Sequence, residues 1–148
     1  MDLDEQAVKE LFKQVVTYED GDLIFAEGTA GGWVYIVALG EVEVFRTVGD
    51  RKIIIDRVYK GECLGEVSFF DKHVRSASAR AVGRVGLMQF KDEVLAQEYK
   101  KLPDYFKVVL ESLALRLRAQ LKKVSSLLSN PKIYALLMEE TKPGKDRN

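Results

Sequence analysis

Between residues 17 and 90 the chain runs as short β-rich segments that recur every eight to twelve residues, with glycines between them. DLIFAEG, WVYIVALGEVEVFR, RKIIIDRVYKGE and SASARAVGRVGLMQF are rich in branched and aromatic side chains, which fit a pleated surface. Glycines at 21, 28, 40, 49, 61, 65, 83 and 86 punctuate these segments and supply turn dihedrals. VYIVALGEVEVF reads as two strands turning around Leu39-Gly40, with Val42, Val44 and Arg46 alternating against Glu41, Glu43 and Phe45. Short strands at this spacing predict an antiparallel sandwich, roll or barrel.

Helical patterns flank the β-rich zone. In residues 1–16, Ala7, Val8, Leu11, Phe12, Val15 and Val16 recur at helical spacing behind an acidic start, which predicts an amphipathic N-terminal helix. Residues 91–140 return to helix, first over Lys91–Lys100, which Pro103 ends. A longer helix then carries Phe106, Leu110, Leu113, Leu117, Leu121, Val124 and Leu128 at steps of 4, 3, 4, 4, 3 and 4. That is nearly a heptad seam with one stutter at Leu121, and it predicts pairing with a second copy of the chain. Asn130-Pro131 breaks it, a short helix over Ile133–Glu140 follows, and residues 141–148 read as a flexible polar tail.

Composition narrows the function. The chain has 23 basic and 23 acidic side chains and a net charge of zero, which removes the diffuse attraction that non-specific nucleic-acid binding needs. One cysteine excludes a disulfide framework, and one histidine excludes a zinc site built from several imidazoles. No apolar run is long enough to span a bilayer and no secretory signal opens the chain, so a cytoplasmic protein is expected. His73 is expected in a solvent-exposed loop, Cys63 as a small buried residue on a strand, and Trp33 as a cap on the β-layer.

The most informative segment is GECLGEVSFFDKHVRSASARA, residues 61–81. Gly65-Glu66 opens a short apolar turn, Val67 to Phe70, and Arg75 follows nine residues after Glu66, ahead of Ser76, Ala77 and Ser78. Small residues beside an arginine let backbone N–H groups converge on an anion, and the guanidinium fork matches phosphate oxygens. An ionised glutamate only accepts hydrogen bonds, which suits a pair of sugar hydroxyls. Glu66 and Arg75 together suit a sugar phosphate. They equally suit an ion pair that closes a loop, and residue types alone favour that commoner arrangement.

At this point the chain resembles the cyclic nucleotide-binding domain shared by catabolite activator-type regulators, protein kinase A regulatory subunits and cyclic nucleotide-gated channels. The phosphate-binding cassette of that family appears as Gly65-Glu66-Val67-Ser68-Phe69 and Arg75-Ser76-Ala77. Two earlier motifs match as Gly21-Asp22-Leu23-Ile24-Phe25-Ala26-Glu27-Gly28 and as Tyr35-Ile36-Val37-Ala38-Leu39-Gly40-Glu41-Val42-Glu43-Val44. The likeness covers about residues 10–128 in the family's order. It implies a mainly β fold with flanking α-helices, an antiparallel β-roll of double-stranded, jelly-roll-like type.

The resemblance also implies roles. Glu66 would hold the ribose 2′-hydroxyl, Arg75 would neutralise the cyclic phosphate, and Ser76 and Ala77 with Gly65 and Val67 would complete the cradle. Val44, Ile55, Val58, Leu64 and Val67 would wall the sugar and base. The helix after the roll would lid the base near Arg116 and Gln120, with Gln120 and Leu121 where the catabolite activator type uses small hydroxyl residues. The ligand implied is cyclic AMP, with cyclic GMP as the alternative, and neither a catalytic residue, a metal nor a further cofactor is expected.

The expected function is therefore a non-catalytic sensor that signals through its C-terminal helix, as a homodimer or through an unlinked protein partner. A ligand-free dimerisation module that keeps only the fold, and a truncated transcription regulator, are the alternatives. A helix-turn-helix module takes roughly sixty further residues, and twenty follow the long helix, so no DNA binding is expected of this chain alone. A metal-dependent enzyme on a related β architecture is disfavoured by the single histidine.

Overall fold

A computed structural model describes residues 15–140, with side chains described through residue 136. Six strands form one antiparallel sheet: β1 (Val15–Tyr18), β2 (Leu23–Phe25), β3 (Trp33–Val48), β4 (Arg51–Tyr59), β5 (Cys63–Leu64) and β6 (Ser78–Lys91). Four helices accompany them: α1 (Glu66–Asp71), α2 (Asp92–Lys100), α3 (Asp104–Ser129) and α4 (Pro131–Glu140). The sheet order is β1-β6-β3-β4, with β2 also on β6 and β5 also on β3. The antiparallel β architecture with flanking helices is the one expected.

The long strands β3 and β6 are the spine. They pair from Trp33↔Lys91 to Phe45↔Ser78, with irregularities on either side of Leu39. The expected turn at Leu39-Gly40 is instead a bend inside one 16-residue strand. Gly40 has φ +87°, and a Cβ there would sit 2.5 Å from the carbonyl oxygen of Arg84. The chain thus needs glycine to bend the sheet while keeping β6 close. That bend curls the sheet around a core of Tyr35, Val37, Val42, Val58, Leu64, Ala79, Ala81, Val85 and Leu87.

The pattern of alternation also breaks along β3. The β3–β4 register shifts between Val44 and Phe45, so Phe45 is buried where simple alternation puts it outside. Glu43 is buried as well, and its carboxylate accepts hydrogen bonds from Arg57 at 3.3 Å and Arg80 at 2.5 Å. These arginines are its cross-strand neighbours in β4 and β6, so the buried charge is paired by the ladder itself.

The helix predicted over residues 1–16 lies outside the described residues, except for its end. Val15 and Val16 belong to β1, paired with Met88 and Leu87, because β6 offers them a strand edge that overrides a local helical pattern. The tail over 141–148 also lies outside the described residues. Cys63, expected in the core, is exposed on the two-residue strand β5. His73 is exposed, as expected.

Core packing gives the first prediction. Leu87 is completely buried between β3 and β1. Leu87→Ala should destabilise the fold by about 3 kcal/mol through lost transfer energy and the cavity left behind. Urea unfolding of the two proteins measures this, and a loss under about 1 kcal/mol would show that the roll collapses into the space.

Candidate nucleotide site

The cassette folds around one arginine. Gly65 precedes α1 with φ +84°, and a Cβ there would lie 2.5 Å from Arg75 Nη1 and 3.0 Å from the Trp33 carbonyl oxygen. Only glycine leaves room for the guanidinium at that corner. Arg75 Nη1 donates to the Gly65 carbonyl and to Ser68 Oγ, both at 2.8 Å, and Nη2 donates to the Trp33 carbonyl at 2.6 Å. The Ser68 hydroxyl in turn donates to the Gly65 carbonyl at 3.1 Å. The Phe25 ring lies against the guanidinium, 4.4 Å from its carbon.

Arg75 is 4% exposed, and its Nε–H has no acceptor. No carboxylate among the described residues pairs with it; the ion pairs there belong to other cations. The loop-closing ion pair with Glu66 is therefore not what the chain builds. Burial pushes the Arg75 guanidinium below its ordinary range, partly countered by the charges of Tyr35, Asp92 and Glu66. Glu66 shifts the opposite way from the same cause: burial disfavours its charged form and raises its carboxyl above the usual range, against a backbone hydrogen bond and the charge of Arg75. A buried cation and a half-buried carboxylate thus stand beside one cavity with no ion pair between them.

That cavity has a volume of about 110 Å³ and is open at its mouth. The expected residues Gly65, Glu66, Val67, Arg75, Ser76, Ala77, Val44, Ile55, Val58 and Leu64 all line it. Backbone hydrogen bonds seat Arg75 at its rim: its N–H donates to the Thr29 carbonyl at 2.8 Å, and its carbonyl accepts from Gly28 at 2.9 Å. No acceptor for the Ser76 or Ala77 amide occurs among the described residues. Those two N–H groups and the arginine make a small concave donor set, which suits an anion.

Arg116 and Gln120 are the correction. Both are exposed, and neither lines the cavity. The α3 turn that faces it presents Leu117 and Leu121. One residue along a helix rotates a side chain by about 100°, so a lid position read one residue early falls on the wrong face. Phe25, Asp56, Cys63 and Ser68 line the cavity too and were not singled out for it. The resemblance places Leu121 at the lid, and the leucine seam carries Leu117 on the same face of the helix.

Two latches hold α3 over this space. Arg118 donates to both carboxylate oxygens of Asp71, the last residue of α1, with Nη2 at 2.9 Å from Oδ1. Burial alone would raise Asp71, but the Arg118 hydrogen bond, the His73 amide and the Arg118 charge outweigh it and hold the carboxyl below its usual range. Further along, Arg46 of β3 donates to Ser125 Oγ and to Glu27, both at 2.9 Å. Among the described residues no group of His, Cys, Asp and Glu is arranged to hold a metal.

A curled antiparallel roll with a glycine-glutamate helix start and a buried arginine facing it defines a cyclic nucleotide-binding type of site. The family comparison agrees: the model for the cyclic nucleotide-binding domain matches residues 15–101, more than half of the chain, which therefore belongs to that family. The chain is 36% identical over 130 residues to the cyclic AMP receptor protein of Thermus thermophilus, covering 81% of this chain and 58% of that protein. It is 29% identical over 125 residues to a CRP-like cAMP-activated global transcriptional regulator of Mycobacterium tuberculosis, covering 82% and 56%. The chain thus spans little more than half the length of these relatives. Among solved structures, the cAMP-bound form of the EAL enzyme Bd1971 superposes with a TM-score of 0.70 at 28% identity, covering 85% of this chain and 33% of that one. Its cGMP-bound form gives 0.67 at 30% identity, covering 71% and 28%.

Glu66 links the site to stability. A carboxyl raised by burial binds its proton more tightly when folded, so it lowers stability as pH rises through the carboxylate range, and the cost is fully present above the folded value. Glu66→Gln should raise the melting temperature at neutral pH, and the gain should vanish in acid, where both proteins carry a neutral side chain. Thermal melts from pH 3 to 8 test this; equal melting temperatures at neutral pH would show that Glu66 is well solvated.

Proposed function

We propose that the chain is a non-catalytic sensor of a cyclic purine nucleotide, cyclic AMP first and cyclic GMP second, acting in the cytoplasm. The observation that carries this reading is Arg75: a buried guanidinium with a free Nε–H, no anionic partner and two small-residue amides beside it. A ligand phosphate is the missing counter-charge. Glu66 then accepts from the ribose 2′-hydroxyl, and the base lies between Val44, Ile55 and Val58 on the roll and Leu117 and Leu121 on α3. The cAMP-bound and cGMP-bound forms of Bd1971 support a nucleotide in this kind of roll.

Signalling follows from the lid. α3 touches the cavity through Leu117 and Leu121, so a bound base favours one pose of that helix over others. The helix also exposes apolar side chains, Phe106 at 51% and Leu113 at 55% among them. Exposed apolar residues at near-heptad spacing support a homodimer along Phe106–Leu128, or an unlinked protein partner on the same stripe.

Calorimetric titration with cyclic AMP and cyclic GMP tests the reading. Binding at micromolar Kd or tighter, about −8 kcal/mol, is expected. Arg75→Ala should weaken it by roughly 2–5 kcal/mol, because the phosphate enters the cavity unpaired. Equal affinity in the variant would remove Arg75 from the site. Absence of heat and of competition at millimolar nucleotide would leave a roll that keeps the family fold without its ligand.

A further inference from the structure

Two buried polar side-chain atoms have no hydrogen-bond partner among the described residues, Arg75 Nε and Asp92 Oδ1. Both residues meet the same short stretch of backbone, Gly31 to Trp33. Asp92 opens α2 directly after β6, and its amide donates to the Gly32 carbonyl at 3.0 Å. Arg75 Nη2 donates to the carbonyl of the next residue, Trp33. A Cβ on Gly31 would lie 3.3 Å from both Asp92 Oδ2 and Ser68 Oγ, and Ser68 Oγ accepts from Arg75 Nη1. Little more than the width of a methyl group therefore separates the Asp92 carboxylate from the arginine's own hydrogen-bond network. Asp92 takes part in no ion pair among the described residues, and it does not line the nucleotide cavity. Its charge still reaches the guanidinium. Burial acts most strongly on Arg75 and lowers it; Tyr35 and then Asp92 oppose this, ahead of Glu66.

We propose that Asp92 acts through Arg75 to set the anion affinity of the site, holding it below what the guanidinium alone would give. Asp92 is a positioning residue here, not a ligand contact. The inference rests on the nucleotide reading above and goes beyond it. A carboxylate in direct contact would take up the arginine's N–H groups and close the site. One held a step away leaves those donors where they are. In the ligand-free roll it lowers the energy of a cation that has left water. Against a bound phosphate the same negative charge is repulsive, and β6 with the Gly32 hydrogen bond fixes the start of α2 in place. Both effects weaken binding, and both act through Arg75. Glu93 provides the internal comparison. It is the neighbouring carboxylate on the same turn, but it is exposed, and water and salt screen its charge from the arginine.

Two measurements on the full chain test it. In a titration with cyclic AMP, Asp92→Asn keeps the shape and removes the charge, and it should tighten binding about three- to tenfold. Glu93→Gln should stay within about twofold of the parent. Damage to a fold loosens a site and does not tighten it, so the sign separates a charge effect from a structural one. Unchanged or weaker binding by Asp92→Asn, or equal tightening by Glu93→Gln, would overturn the proposal. Melting of the ligand-free proteins reads the same coupling without nucleotide. Asp92→Asn should lower the melting temperature about 3 °C more in the parent than in Arg75→Gln, where the cation is gone. An equal shift in both backgrounds would overturn the proposal even where nucleotide binds. Failure of the nucleotide reading shows separately, as a parent that takes up no nucleotide, and the melts then decide on Asp92 alone.

Discussion

Everything in the cassette is arranged around a cation taken out of water. Desolvating a guanidinium costs several kcal/mol even after the protein relaxes. The roll offsets part of that cost with neutral acceptors only: two carbonyls and a hydroxyl, drawn from the start of β3, the corner before α1, and α1 itself. Arg75 thereby ties three elements together while its charge stays uncompensated. An aspartate in place of Ser68 would satisfy the cation within the fold and would take away the need for an anion. The choice of weak partners is what leaves room for a strong one.

Gly65 shows how tightly this is specified. Its left-handed backbone starts α1, and its missing Cβ makes space for Nη1. The same six-residue helix carries Glu66 at its first position and Asp71 at its last. Its two ends therefore meet different parts of the molecule. The first borders the cavity, and the last holds Arg118 of α3. Since the Asp71 side chain is fully shielded, that pair is not the weakly coupled surface kind. That contact ties the last residue of α1 to α3.

Much of this was legible in the sequence because turn chemistry and charge chemistry coincide there. Glycine at 65, glutamate at 66 and arginine at 75 left an ion pair and an anion site both open until their resemblance to a known cassette favoured the site, and the β-rich spacing independently called for a sandwich, roll or barrel. The parts that were not legible depend on long-range geometry. Gly40 reads as a turn because φ > 0 is the commonest reason for glycine between strands, whereas here it bends one strand against Arg84. Val15 and Val16 continue a helical pattern in sequence and are captured by the edge of β6. Arg116 and Gln120 fail by one step of helix phase, since Asp71 fixes Arg118 toward α1 and so turns Leu117 and Leu121 to the cavity.

That rotation changes how the base is met. With Arg116 and Gln120 turned to solvent, α3 offers the cavity two leucines and no hydrogen-bond group. The energy of closing the lid then comes from apolar area, at about 25 cal/mol per Å² removed from water, and is nearly indifferent to which purine is enclosed. Discrimination between bases needs a site whose polar groups are left unpaired by the wrong one. On the walls around the base Asp56 is the one charged side chain, and it already accepts a hydrogen bond from the Arg57 amide at 2.8 Å. On the proposed reading the roll would meet phosphate and ribose, and the lid would add apolar closure without selecting a base. In the sensor proposed above, the choice of base would rest with that one carboxylate on β4.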